Sequence, residues 1–154
     1  MKNVGLIGCG NIAETYFRSQ EYFNNIQFIS CADIYEEASI KCAKENNIKA
    51  QTVNELLSNS DVDIVLNLTI PQAHYEISKK TLLSNKHSYS EKPLSISFDE
   101  GKDLVEIAKS KKLYLGNAPD TFLGGGGQLA RQKIDNGEIG KILTGNFIFA
   151  FPGV

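Results

Sequence analysis

The sequence has no long apolar run, no basic block and no paired cysteine motif, and each absence closes off a class of function. Nothing approaches the roughly 18 to 20 apolar residues that a membrane-spanning helix needs, so no membrane role is expected. The 16 Lys and Arg are scattered among 18 Asp and Glu, for a formal net charge of −2. That leaves no electrostatic footprint for nucleic acid. Cys9, Cys31 and Cys42 form no C-x-x-C pair and leave an odd count, which argues against a disulfide framework and against a zinc site. No metal is expected, and the thiols read as small buried hydrophobes in a reducing cytosol. The apolar run from Val4 to Ile7 ahead of Cys9 suggests a lipoprotein leader at first sight, but it is far shorter than a signal core of about 7 to 15 residues. The expected location is cytoplasmic.

What is present is ordinary globular composition: 154 residues, 42% hydrophobic and 22% charged, about one domain's worth. Strand and helix patterns take turns along it. "NVGLIG" is a short apolar run, followed by "NIAETYFRSQEYF", whose Ile12, Tyr16, Phe17 and Phe23 can share a helical face. "IQFISCAD" reads as a buried strand, "EEASIKCAKENN" as a helix stopped by its two asparagines, and "IKAQ" as a short strand. Thr52 and Glu55 make a capping box for the next helix. "DIVLNL" is a strand, Pro71 suits the first turn of a helix running to about Leu83, and "HSYS" is a fifth strand. Ser97 and Glu100 form a second capping box, for a helix to about Lys111, before a sixth strand in "LYLGN".

This alternation implies right-handed βαβ units and a parallel sheet covered on both faces, an α/β doubly wound Rossmann fold. It is expected over residues 1–120, with a connecting helix and a strand, "LTGNFIFAF", over 121–154. Four glycines at 124–127 are costly at a helix start, roughly 0.8 to 1.0 kcal/mol each relative to Ala, so close backbone approach is expected there, with packing of a further domain favoured as its cause.

The chemistry begins with "GLIGCGNIA". Gly8, Gly10 and Ala13 match G-x-G-x-x-A between a strand and a helix: one glycine for the tight turn, one for the approach of a pyrophosphate, and a small residue for helix packing. Exposed backbone N–H groups and the positive end of the helix dipole complete the cradle, in which Asn11 and Ile12 are counted. Asp33 closes the second strand, where a carboxylate accepts from both ribose hydroxyls and repels a 2′-phosphate, so NAD is preferred over NADP. Thr69, Ile70 and Pro71, at the carboxyl end of the fourth strand, should line the same crevice, with His74 one turn further on. Glu91, Lys92 and Pro93 leave the fifth strand beside the expected nicotinamide, and the bond before Pro93 is a candidate for the cis form. A lysine held beside that ring can hydrogen-bond a substrate hydroxyl and share in removing its proton. Glu91 is expected to bind the cofactor or orient Lys92. Asn117, Ala118 and Pro119 follow the sixth strand toward the nicotinamide side, and Asp120 and Thr121 toward substrate. His87, within a strand, reads as structural.

Together, "GLIGCGNIA", the "ADI" that ends strand two, "TIPQAH", "SEKPL" and "GNAPDTFLGGGGQLARQKIDNGEIGKI" resemble the dinucleotide-binding domain of the glucose-fructose oxidoreductase, inositol dehydrogenase and rhizopine catabolism (Gfo/Idh/MocA) family. The resemblance implies an NAD-dependent oxidoreductase that takes hydride from a sugar, inositol or related polyol. Lys92 would then be the catalytic-motif lysine, and Thr69, His74 and Glu91 would border the cofactor. It also implies a second α/β domain carrying the substrate pocket, an Asp/His pair that works with the lysine and a homo-oligomer interface, so that residues 1–154 alone would turn over slowly or not at all. Exposed Phe147, Phe149 and Phe151 would drive self-association. Two alternatives stay open: an NAD-using glycosidase of the same architecture, and a non-catalytic NAD-sensing module.

Overall fold

The computed structural model describes residues 1–119, 121–146, 148 and 150, with the side chain of Thr121 left aside. The chain divides into two units, Met1–Pro119 and Asp120–Val154. The first contains six parallel strands: β1 (Lys2–Ile7), β2 (Ile26–Ala32), β3 (Lys49–Ala50), β4 (Ile64–Asn67), β5 (His87–Ser90) and β6 (Leu115–Asn117). They are ordered β3-β2-β1-β4-β5-β6. The chain thus winds outward from β1 in one direction, then returns and winds outward from β4 in the other. The reversal between β1 and β4 opens a crevice at the carboxyl ends of the strands, where such sheets take their ligands. This is the α/β doubly wound Rossmann fold that the alternation predicts.

Neighbouring residues on the central strands point to opposite faces, as the period of two requires. Val4, Leu6, Cys31, Leu66 and Leu68 enter one core with Ala13 of α1 (Ala13–Ser19) and Cys42 and Ala43 of α2 (Glu36–Asn46). Ile7, Ala32 and Val65 enter the other with Leu56 and Leu57 of α3 (Val53–Ser58). A strand buried on both faces has no polar side to show, which is why the central strands read as continuous apolar runs. A third cluster joins Leu82 of α4 (Pro71–Leu83) to Leu104 and Ala108 of α5 (Phe98–Lys111). Leu6, Leu56, Leu82 and Leu104 are fully buried, each contributing about 1.5–3 kcal/mol.

The local signals act as their chemistry dictates, with some exceptions. The Thr52–Glu55 capping box is complete in both directions. At Ser97 only half forms: its hydroxyl accepts from the Glu100 N–H, while one Glu100 carboxylate oxygen is buried without a partner. Helix α2 ends on Asn47 in the left-handed region, so the asparagine stop is real. Helix α1 spans only Ala13–Ser19, followed by a single 3-10 turn over Gln20–Tyr22. The four-residue apolar face expected there therefore breaks up, leaving Ile12 and Phe23 largely exposed. His87 is structural as expected, its Nδ1 accepting from the Tyr114 N–H.

In the second unit a 3-10 turn, Thr121–Leu123, leads into α6 (Gly125–Asp135). A Cβ on Gly127 would meet the Phe122 carbonyl oxygen at 3.0 Å. One of the four glycines thus admits a close approach from within its own unit. Asp120, Phe147, Phe149 and Phe151 lie outside the described residues, and the described ones between 143 and 150 form no strand.

Candidate functional site

The crevice is assembled from the loops that follow β1, β2, β4, β5 and β6. After β1 the chain turns at Gly8, with φ +102°, and a Cβ there would lie 2.6–2.8 Å from backbone atoms of Leu68 and Thr69. Only glycine lets the β1 turn sit against the end of β4. Gly10 differs: a Cβ placed on it meets nothing within 4 Å among the described residues. Among the described residues no acceptor takes the N–H groups of Gly10, Asn11 or Ile12, and all three residues are exposed. Ala13, 3% exposed, packs the first helix onto the sheet. A loop whose free donors face open space is the form of a phosphate cradle.

Asp33 stands at the end of β2, beside that loop. Its Oδ2 accepts from the Cys9 N–H at 2.7 Å and its Oδ1 from the Tyr35 N–H at 3.0 Å. The carboxylate therefore has a structural task that the sequence does not reveal, holding the glycine loop to the end of β2. Each oxygen keeps a second lone-pair site for a further donor.

The β4 end rests on Asn67, which is fully buried. Its amide donates to the His74 carbonyl and the Ser78 hydroxyl, both at 3.1 Å, while its Oδ1 accepts from the Thr69 N–H at 3.2 Å and hydroxyl at 2.7 Å. Thr69 is thereby fixed, and Ile70 and Pro71 lead exposed into α4. His74 is 1% exposed. Its ring lies 2.9 Å from the Thr69 carbonyl oxygen through Nε2 and 2.5 Å from that of Pro93 through Nδ1. A neutral ring donates to one of these and a doubly protonated ring to both. The histidine expected to border a cofactor has its ring buried at the foot of the crevice, linking the loops after β4 and β5.

After β5, Glu91 accepts from the Tyr16 hydroxyl at 2.8 Å and, through its other oxygen, from the Lys92 N–H at 3.0 Å. The Lys92–Pro93 peptide is cis. Lys92 is exposed, and no carboxylate among the described residues lies within ion-pair distance of it. Asn117, after β6, donates its amide to Ser90 and to the Glu91 carbonyl at 2.9–3.1 Å. It braces the turn that carries Lys92, and Pro119 beyond it is exposed.

Asn67 and Tyr16 are the residues that sequence reasoning missed. A polar residue closing a strand of otherwise apolar character is the only signal Asn67 gives. Tyr16 gives none beyond an aromatic on a helix.

Residues 2–118 match the family described as "Oxidoreductase family, NAD-binding Rossmann fold". Among curated relatives, the chain is 34% identical over 98 residues to an uncharacterised oxidoreductase of Schizosaccharomyces pombe, covering 63% of this chain and 27% of that protein. It is 27% identical over 147 residues to an inositol 2-dehydrogenase/D-chiro-inositol 3-dehydrogenase of Lacticaseibacillus casei, covering 92% of this chain and 42% of that one. It thus spans less than half the length of either. Among solved structures it resembles biliverdin reductase of Synechocystis in complex with biliverdin and NADP+, with TM-score 0.78 and 28% identity over 86% of this chain and 42% of that one. Among the described residues, no helix is long and apolar enough to cross a membrane.

Proposed function

The chain belongs to the Gfo/Idh/MocA oxidoreductase family and carries its NAD(P)-binding Rossmann fold, and we propose that it holds the nicotinamide cofactor of a dehydrogenase that oxidises a sugar, inositol or related polyol. One observation supports this above the others. Among the described residues nothing fills the space at Gly10 or takes the three N–H groups of its loop, whereas Gly8 is required by the chain itself. The first glycine belongs to the fold and the second to a ligand.

In this reading Gly10, Asn11 and Ile12 donate backbone N–H groups to the pyrophosphate, and Asp33 accepts from the adenosine ribose hydroxyls. Its negative charge selects NAD over NADP, since a 2′-phosphate would meet a carboxylate. Thr69, Ile70, Pro71, Glu91 and Pro119 line the nicotinamide side, with His74 and Asn117 holding their loops from below. The bound cofactor supplies a hydride acceptor. Lys92 is the catalytic residue: its amine takes a hydrogen bond from the substrate hydroxyl and shares in removing that proton while the carbon loses hydride. The Glu91 carboxylate fixes the Lys92 backbone through the N–H it accepts.

The polyol class is supported by the inositol dehydrogenase likeness and by the lysine placed for hydroxyl chemistry. The test is calorimetric titration of the chain with NAD and NADP, for the wild type and for Asp33→Asn. NAD is expected to bind more tightly, and Asp33→Asn to narrow the NAD preference by roughly tenfold, about 1.4 kcal/mol. Equal affinities in the wild type would remove Asp33 from its role. In the full-length protein, NADH should accumulate with an inositol or sugar alcohol, and Lys92→Ala should lower kcat by about 10²–10⁴-fold.

A further inference from the structure

The three cysteines meet. Cys9 lies in the glycine loop, Cys31 on β2 and Cys42 on α2, yet their sulfur atoms all lie within 4.8 Å of one another. Spacings of 22 and 11 residues hide this, because the parallel topology alone brings a loop, a strand and a helix to one point. None of the three is in a disulfide. Cys31 and Cys42 are buried and Cys9 is half-buried. Two of the thiols make only weak contacts, Cys31 with the Ser39 carbonyl at 3.4 Å and Cys9 with that of Ala32 at 3.6 Å.

We propose that Cys9, Cys31 and Cys42 form a three-sulfur site for a soft monovalent metal ion of the copper(I) class, seated beneath the glycine loop. Three sulfurs around one ion, at a metal–sulfur distance of about 2.3 Å as for zinc thiolates, stand about 4 Å apart in a planar trigonal array. The sulfurs reach that spacing by closing less than an ångström each from the observed spread. The ligand set chooses the ion. No histidine or carboxylate joins the cluster among the described residues, whereas structural zinc takes four ligands. Thiolates alone suit a soft monovalent ion.

Access is also present. A cleft of about 790 Å³ between α1 and α2 is lined by Cys9 and Cys42, together with Gly10, Phe17, Lys41 and Asn46. An ion entering there forms three metal–sulfur bonds as the S–H bonds break and their protons pass to solvent. No electrons change hands.

The experiment is anaerobic titration of the reduced chain with copper(I) held as its bicinchoninate complex. One ion per chain should be withdrawn from the chelator. X-ray absorption should count three sulfur neighbours, and all three cysteines should resist alkylation once the ion is in place. Cys9→Ser, at the least buried position, should weaken binding by more than the roughly 10–100-fold that loss of an outer partner costs. Failure to compete with the chelator, two sulfur neighbours, alkylation of any one cysteine, or unchanged affinity in Cys9→Ser would each overturn the proposal. So would zinc held with a nitrogen or oxygen neighbour in preference to copper. The wild-type counts need no variant to fold, and none of these readouts involves the nicotinamide cofactor.

Discussion

The Tyr16 hydroxyl donates to Glu91 at 2.8 Å, joining the first helix to the turn that carries Lys92 across a gap of 75 residues in sequence. The bond reaches across the sheet reversal, so the two loops on either side of the crevice share one anchor. Tyr16→Phe keeps the ring and removes the bond. Because the pair is only partly buried, the expected loss is about 1 kcal/mol of stability, read as a lower urea midpoint with unchanged slope. An unchanged midpoint would show that Glu91 needs no partner.

Gly8 and Gly10 separate fold from ligand. Gly8→Ala forces a Cβ onto backbone atoms of Leu68 and Thr69 at a φ of +102° and should cost about 2 kcal/mol or more. Gly10→Ala meets nothing among the described residues and should leave stability within about 0.5 kcal/mol. Its NAD affinity should nevertheless fall at least about tenfold, about 1.4 kcal/mol. Thermal melts and calorimetry on the two variants check both halves. NAD binding retained by Gly10→Ala would remove the loop from the cofactor site.

Asn67 should be the most sensitive polar position. Asn67→Leu strips partners from the Thr69 hydroxyl, the Ser78 hydroxyl and the His74 carbonyl at once. A loss of roughly 2–3 kcal/mol is expected, measured by chemical denaturation. A loss below about 0.5 kcal/mol would mean that water replaces the amide without cost.

Acid should act through Asp63. Its carboxylate accepts from Lys2 at 2.7 Å and from the Asn3 N–H at 2.9 Å. The Lys2 ammonium, first, and then the Asn3 N–H hold it below the usual carboxylate range. A carboxyl lowered in the folded chain contributes stability that is complete above its ordinary value, about 3.9, and is lost as pH falls through the lower folded value. Asp63→Asn should therefore flatten the stability profile below about pH 4. Equal acid slopes in variant and wild type would assign the loss to other carboxylates.

The parts of the site that were legible in the sequence are those that the backbone itself demands. Gly8 must adopt a left-handed φ, Ala13 must be small, and Pro71 can stand only in the first turn of its helix; each is a local constraint with a local signature. His74 was legible as a crevice residue but not as one beneath it, because its partners, Thr69 and Pro93, lie on two different loops. Asn67, Tyr16 and the second task of Asp33 depend on partners brought in by the topology, and sequence spacing carries no trace of that. The cysteines are the clearest case. An odd count without C-x-x-C spacing argued against a zinc site and for small buried hydrophobes, and carries no sign that the β1 loop, β2 and α2 place the three sulfurs together.

The two outer strands of the sheet are very short, two residues in β3 and three in β6. A strand that brief offers too few unpaired backbone groups to template another chain. Both margins of this sheet are thereby poor templates for an added strand, and its pairing ends where the chain's own six strands end.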